Sequence, residues 1–127
     1  MSGEIFLSVG STSNKQQEQL VQAVEQHLRA NDLIPQPVGR TYFSSQQPLK
    51  AVGELMRQCV GTVIIAYERL HIGEGLERRG NPNEKEIRSV NLPTAWNQIE
   101  AAMAYSLGHP LLVIVEHGIK RPTGSWL

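Results

Sequence analysis

The chain has 127 residues, enough to bury a sizeable apolar core in one domain. Twelve Lys and Arg balance twelve Asp and Glu, which argues against a nucleic-acid binder that works by neutralising phosphates. A single cysteine (Cys59) excludes an internal disulfide, no apolar run approaches the ~20 residues that cross a bilayer, and Met1-Ser2-Gly3-Glu4 lacks a signal-peptide pattern, so a cytoplasmic protein off the membrane is expected.

Ile5-Phe6-Leu7-Ser8-Val9 reads as a short apolar strand, running into the small polar loop Gly10-Ser11-Thr12-Ser13-Asn14. The next segment carries Leu20, Val21, Val24 and Leu28 at helical spacing, and Ser13 with Gln16 has the form of a capping box. Asn31-Asp32 ends this helix. Leu33-Ile34-Pro35-Gln36-Pro37-Val38 is extended, and its two prolines suit the edge of a sheet. A strand, a helix and a second strand in this order imply a right-handed crossover and parallel pairing.

Residues 39–47 (Gly-Arg-Thr-Tyr-Phe-Ser-Ser-Gln-Gln) form a polar loop with two aromatics and one arginine. A helix from Pro48 to Cys59 follows, with Leu49, Val52, Leu55, Met56 and Cys59 on its apolar side. Thr62-Val63-Ile64-Ile65-Ala66-Tyr67 is the strongest strand of the chain and the expected centre of the sheet. Residues 68–92 are charged and contain Gly73, Gly75, Gly80 and Pro82. A short helix is expected near residues 83–90, with the charged run 84–88 as its solvated face. A connection this long is usually functional or disordered.

Pro93-Thr94 then offers an N-cap, and Trp96, Ile99, Met103 and Leu107 recur as the apolar face of a helix, with Glu100 on its flank. Ala101, Ala102 and Ala104 would let that helix approach a sheet closely. Gly108 and Pro110 stop it. Leu111-Leu112-Val113-Ile114-Val115 is apolar without alternation, as in a parallel strand covered on both faces. The remaining residues, 116–127, suggest no element. The whole pattern predicts an α/β fold: a flavodoxin-like open parallel sheet, order about 2-1-3-4, with helices on both faces. In such sheets ligands bind beyond the carboxyl ends of the strands, where the first and third strands part.

Four segments are expected to converge at that switch point: residues 8–13, 39–45 and 67–69, and the start of the Trp96 helix. Glu100 is the sharpest candidate, because a fixed carboxylate can stabilise or attack the electron-poor ribosyl carbon formed when an N-glycosidic bond breaks. A carboxylate near a helix N-terminus can equally serve the helix dipole alone. Ser8, Val9, Gly10 and Ser11 form a strand-to-helix loop able to hold a phosphate or a ribose hydroxyl, or simply to cap the helix. The loop is neither a Walker motif nor a dinucleotide fingerprint. Arg40 could face phosphates and Tyr42 or Phe43 could stack on a base, or these side chains could be solvated and folded onto the core. Tyr67 and Trp96 are pocket walls or core plugs. His27, His71, His109 and His117 are scattered, so no metal site is expected.

Ile5-Phe6-Leu7-Ser8, Thr62 to Ala66, and Trp96-Asn97-Gln98-Ile99-Glu100 resemble the first strand, the central strand and the tryptophan-to-glutamate motif of TIR domains. The run from Ile99-Glu100-Ala101-Ala102 to Leu107-Gly108-His109-Pro110-Leu111-Leu112 is closer still to nucleoside 2-deoxyribosyltransferases, in which the nucleophilic glutamate opens a helix ending in Leu-Gly-Lys-Pro before a strand. The resemblance implies that Glu100 is the catalytic glutamate, that Ser8 to Ser11 line the site, and that the 39–47 loop contacts neighbours or gates it. It implies a small-molecule nucleotide as substrate, with NAD cleaved at its nicotinamide bond and no cofactor. It also implies a homo-oligomer, and in bacterial members a role in antiphage defence beside a fused or separate partner domain. Leu92-Pro93-Thr94-Ala95-Trp96 stands where the transferases carry Asp-Ser/Gly-Gly-Thr, which puts base protonation by an aspartate in doubt and favours the TIR side. The chain also ends soon after its fourth predicted strand, as a minimal member or as a module of a longer protein. Three readings result: an NAD-cleaving enzyme, a deoxyribosyltransferase acting on free nucleosides, and a non-catalytic module that binds a nucleotide or a protein.

Overall fold

A computed structural model describes residues 3–38 and 48–120. Its elements are β1 (Gly3–Ser8), α1 (Lys15–Ala30), β2 (Leu33–Val38), α2 (Pro48–Gln58), β3 (Gly61–Ala66), β4 (Leu70–Glu77), β5 (Lys85–Leu92), α3 (Ala95–Ser106) and β6 (Leu111–Val115). Four of the strands make one parallel sheet in the order β2-β1-β3-β6. This is the expected α/β architecture, with β6 as the fourth parallel strand. The proline-bearing β2 lies at one edge, where Pro35 pairs with Ile5 of β1 and its missing N–H costs the ladder nothing on the outer side.

Alternation in β1 divides the core. Ile5, Leu7 and Val9 pack with Val63, Ile65 and Tyr67 against Val21 and Leu28 of α1. Phe6 packs with Val52 and Met56 of α2, with Cys59, and with Ala104 of α3. Ser8 follows Phe6 by two residues, so it faces the same layer as α3. β3 is buried along its whole length, as expected for the central strand.

Four sequence expectations need correction. Residues 83–90 form no helix: β5 pairs antiparallel with β4 in a separate two-stranded ribbon, with Arg88 opposite Glu74 and Ile87 opposite Gly75. The charged run 84–88 therefore lies along a turn and an exposed strand. The cap of α1 sits one residue later than Ser13. Asn14 accepts the Gln17 N–H at 2.9 Å, and the Gln17 side chain returns to accept the Ser13 N–H at 2.8 Å. α3 does start at a Thr94 cap and stop at Gly108, whose φ of +71° suits glycine. Its inner face, however, is Asn97, Glu100, Ala101 and Ala104, while Ile99 and Leu107 are each 39% exposed. Finally, β6 is the free edge of the sheet in the described residues, and Leu112 is 58% exposed, so this strand is not covered on both faces.

The ribbon inserted between β3 and α3 is tied to the body at its base. Arg69 N–H donates to the Leu92 carbonyl and Lys120 N–H to the Asn91 carbonyl, while the Lys120 ammonium reaches Glu77, at the turn end of β4, at 3.1 Å. Among the described residues no helix is long and apolar enough to cross a membrane.

Candidate active site

The carboxyl ends of β1 and β3 are adjacent, and the chain leaves them in opposite directions: β1 toward α1, β3 toward the ribbon and α3. The first two turns of α3 lie on these strand ends, through Asn97 and Glu100. The small side chains of Ala101 and Ala104, both fully buried, let the helix lie close on the sheet. That approach brings Asn97 and Glu100, three residues apart and so on one helical face, down onto the strand ends.

Glu100 is 4% exposed. Its Oε1 accepts a hydrogen bond from Ser8 Oγ at 2.5 Å. Ser8 Oγ in turn accepts from Asn97 Nδ2 at 3.1 Å. The same Asn97 nitrogen lies 3.4 Å from the Ser8 carbonyl and 3.3 Å from the Ile65 carbonyl, so one amide bridges the ends of β1 and β3. Because Asn97 occupies the lone-pair side of the serine, the hydroxyl proton is directed at the carboxylate. Oε2 accepts no hydrogen bond from the described residues, which leaves one oxygen for a reacting carbon.

Burial pushes the Glu100 carboxyl up from 4.5 to about 7, and the Ser8 hydrogen bond works against that rise. Desolvation disfavours the charged form, whereas a donor to the carboxylate favours it. The group is therefore poised to change charge near neutral pH. A carboxylate held in this way has more unsatisfied negative charge to offer a developing cation than a solvated one.

The rest of the loop after β1 is fixed from below and from the side. Tyr67 is buried in the α1 layer of the core, and its hydroxyl donates to the Gly10 carbonyl at 2.5 Å. Val9 is buried in the same layer. Ser11 is exposed, and its hydroxyl accepts from Arg69 Nη1 at 2.9 Å. Trp96 is half-buried and packs against the cluster around Phe6 and Met56, on the α2 side of α3. Arg40 and Phe43 lie outside the described residues. The structure thus joins Ser8 to Glu100, and Gly10 and Ser11 follow Ser8 in a loop that Tyr67 and Arg69 hold.

Sequence reasoning missed Asn97 as a site residue, and it placed Arg69 at the switch point only as the end of the segment 67–69, with no role. The spacing of Asn97 from Glu100 was the available signal, since residues three apart share a helical face. What the sequence could not show for Arg69 was its contact with Ser11 and the tie of its N–H to Leu92, where the ribbon returns the chain.

Two other reactive side chains lie elsewhere. Burial, with a smaller contribution from the Glu4 carboxylate, pushes the Cys59 thiol up to about 11, which makes it a poor nucleophile. His109 Nδ1 lies 3.0 Å from Thr62 Oγ1, at the amino end of β3 and so at the far end of the sheet from Glu100.

No family model and no curated protein matches the sequence. Among solved structures the chain is similar to a 2-desoxiribosyltransferase from Leishmania mexicana, with 15% identity and a TM-score of 0.58, over 94% of this chain and 67% of that one. At this identity the likeness is one of fold.

Proposed function

We propose that this chain breaks the N-glycosidic bond of a nucleoside or nucleotide, with Glu100 acting at the anomeric carbon of the ribosyl group. The observation that carries this reading is the placement of Glu100. It is a buried carboxylate at the switch point of a parallel sheet, oriented by a serine and an asparagine, with one oxygen that no described residue engages. The fold shared with a deoxyribosyltransferase and the Trp96-to-Glu100 spacing that resembles TIR domains support it.

In its ionised form Glu100 faces the ribosyl carbon with Oε2. As the carbon–nitrogen bond breaks, its electron pair leaves with the base and positive charge gathers on the sugar. The carboxylate stabilises that charge or closes on it as an ester. Water then adds its oxygen to the ribosyl carbon, the bond to Oε2 breaks where one has formed, the carboxylate is restored, and the second proton of the water goes to solvent. Throughout, Ser8 holds Oε1, and Asn97 holds Ser8.

Among the described residues no second carboxyl joins the Glu100–Ser8–Asn97 hydrogen bonds, so this reading gives the leaving base no proton donor. The chain's one aspartate, Asp32, sits in the turn before β2, at the amino end of the sheet. Glu116 is engaged by the Glu68 N–H at 2.9 Å and Glu18 by the Thr12 hydroxyl at 2.7 Å. A base already carrying positive charge departs neutral without protonation, so an N-ribosyl pyridinium such as the nicotinamide end of NAD suits this site better than an ordinary purine or pyrimidine. Transfer between free deoxynucleosides is the second reading, supported by the shared fold.

Incubation with NAD, and separately with a deoxynucleoside plus a second free base, separates these readings when products are resolved by chromatography. Nicotinamide release supports the first, and base exchange supports the second. Turnover of neither substrate, at low or high protein concentration, would leave a non-catalytic binding module.

A further inference from the structure

We propose that Arg69 reads a phosphoryl group on the 5′ carbon of the substrate's ribose, so that the site takes nucleotides in preference to nucleosides. This rests on the proposed action of Glu100 at the ribosyl carbon. Arg69 is exposed at the carboxyl end of β3 and extends over the loop after β1, where Nη1 donates to Ser11 Oγ at 2.9 Å. Among the described residues no carboxylate pairs with it. A guanidinium has five N–H donors in a planar fork and is always charged. Among the described residues one of these is committed, to a neutral hydroxyl, and no carboxylate balances the charge.

The surroundings of Arg69 are built rather than loose. Its own N–H is held by the Leu92 carbonyl at 2.9 Å. The preceding residue, Glu68, is held from both sides, its carbonyl by the Gln17 side chain and its N–H by Glu116. The loop beneath is fixed by Tyr67 on the Gly10 carbonyl. Gly10 itself is not in the left-handed region, so its backbone does not require glycine. A Cβ there would stand 3.8 Å from Arg69 Nη1 and 3.9 Å from Thr94 Cγ2. Glycine thus leaves a gap between the guanidinium and Thr94 that a side chain would occupy.

The spacing suits a ribose 5′-phosphate. Gly10 is two residues beyond Ser8 and hence no more than about 7 Å from it. A sugar with its anomeric carbon at Glu100 can therefore present its 5′ substituent to Arg69, Ser11 and the Gly10 gap. The phosphoryl group could belong to a nucleoside monophosphate or to the diphosphate bridge of a dinucleotide, since both place charged oxygens at this point.

The test uses nicotinamide riboside, nicotinamide mononucleotide and NAD, which share one ribosyl-nicotinamide and differ in phosphate. Affinities are measured by calorimetry in the Glu100→Gln background to prevent turnover, with and without Arg69→Ala and, separately, Gly10→Ala. The expected result is at least about tenfold tighter binding of the mononucleotide than of the riboside, and collapse of that ratio in Arg69→Ala. Arg69→Lys should restore part of it, because it keeps the charge and loses the fork. Equal affinity of riboside and mononucleotide, or an equal loss of both in Arg69→Ala, would overturn the inference. NAD binding like the mononucleotide identifies the bridge as an accepted source of the phosphate; NAD binding no better than the riboside restricts the site to the monoester. Release of nicotinamide by the unsubstituted protein without phosphate preference would leave the role of Glu100 standing while the inference falls. Phosphate preference without any cleavage would keep Arg69 as a phosphate reader while the role of Glu100 falls, and binding of no member of the series would overturn the inference together with the NAD reading, leaving Glu100 to the deoxynucleoside assay.

Discussion

Replacing Glu100 by Gln should make the protein more stable, and only above a defined pH. The folded carboxyl titrates near 7 where an ordinary one titrates near 4.5. Between these values the folded chain holds one proton more than the unfolded chain, so stability falls as pH rises through the interval. The contribution is fully present below about 4.5 and lost once pH passes 7. At about 1.4 kcal/mol per pH unit, the loss amounts to about 3 kcal/mol. Gln keeps the shape and an oxygen for the Ser8 hydroxyl but carries no charge to desolvate. Thermal unfolding followed by circular dichroism should therefore show both proteins alike near pH 4.5, diverging to a difference on the order of 10 °C by pH 8 in favour of Glu100→Gln. A difference that does not change with pH, or a Glu100→Gln protein that is the less stable one at pH 8, would refute the reasoning. A side chain whose native charge costs stability is what a site retained for chemistry should show.

Ser8→Ala removes the donor that favours ionised Glu100, so the carboxyl should rise further above about 7. The rising limb of the pH–rate profile should then move to higher pH and the rate at pH 7 should fall. Asn97→Ala leaves the Ser8 and Ile65 carbonyls without their bridging donor, and chemical denaturation should register a loss of about 1–3 kcal/mol. Tyr67→Phe preserves the ring in the core and deletes only the hydroxyl on the Gly10 carbonyl. It should cost about 1 kcal/mol in unfolding and raise KM more than it lowers kcat.

The architecture was legible because it depends on strong, local signals. Two prolines mark β2 as an edge, an unbroken apolar run marks β3 as the centre, and Thr94 and Gly108 bracket α3 with an N-cap and a left-handed stop. Glu100 was legible from its place in that helix and from the residues around it. The orientation of α3 was not. Its large apolar residues suggested one inner face, yet the sheet accepted Asn97, Glu100, Ala101 and Ala104. Small side chains allow close approach, and buried polar groups are tolerated where strand-end carbonyls and a serine satisfy them. The periodicity of hydrophobic residues cannot register such pairing, because it is made across 89 and 92 residues of sequence. The β4–β5 ribbon was hidden for a different reason. Glu84, Lys85, Glu86 and Arg88 carry charge spacing that helices use, and Gly73 and Gly75 weaken any strand signal. Pairing between the two segments supplies the order that neither shows alone. Ser89, at φ +51°, interrupts the extended run midway between the Ile72–Val90 and Glu74–Arg88 pairs.

The central claim is that the Glu100 carboxylate drives cleavage at a ribosyl carbon. Its most direct test is the initial rate of nicotinamide release from NAD, and of base release from a deoxynucleoside, by the unsubstituted protein and by Glu100→Gln at pH 8, where both are folded and the carboxyl is ionised. The expected result is release from at least one substrate, reduced by at least about a hundredfold in Glu100→Gln. Release at an undiminished rate by Glu100→Gln, or none from either substrate by the unsubstituted protein, would contradict it.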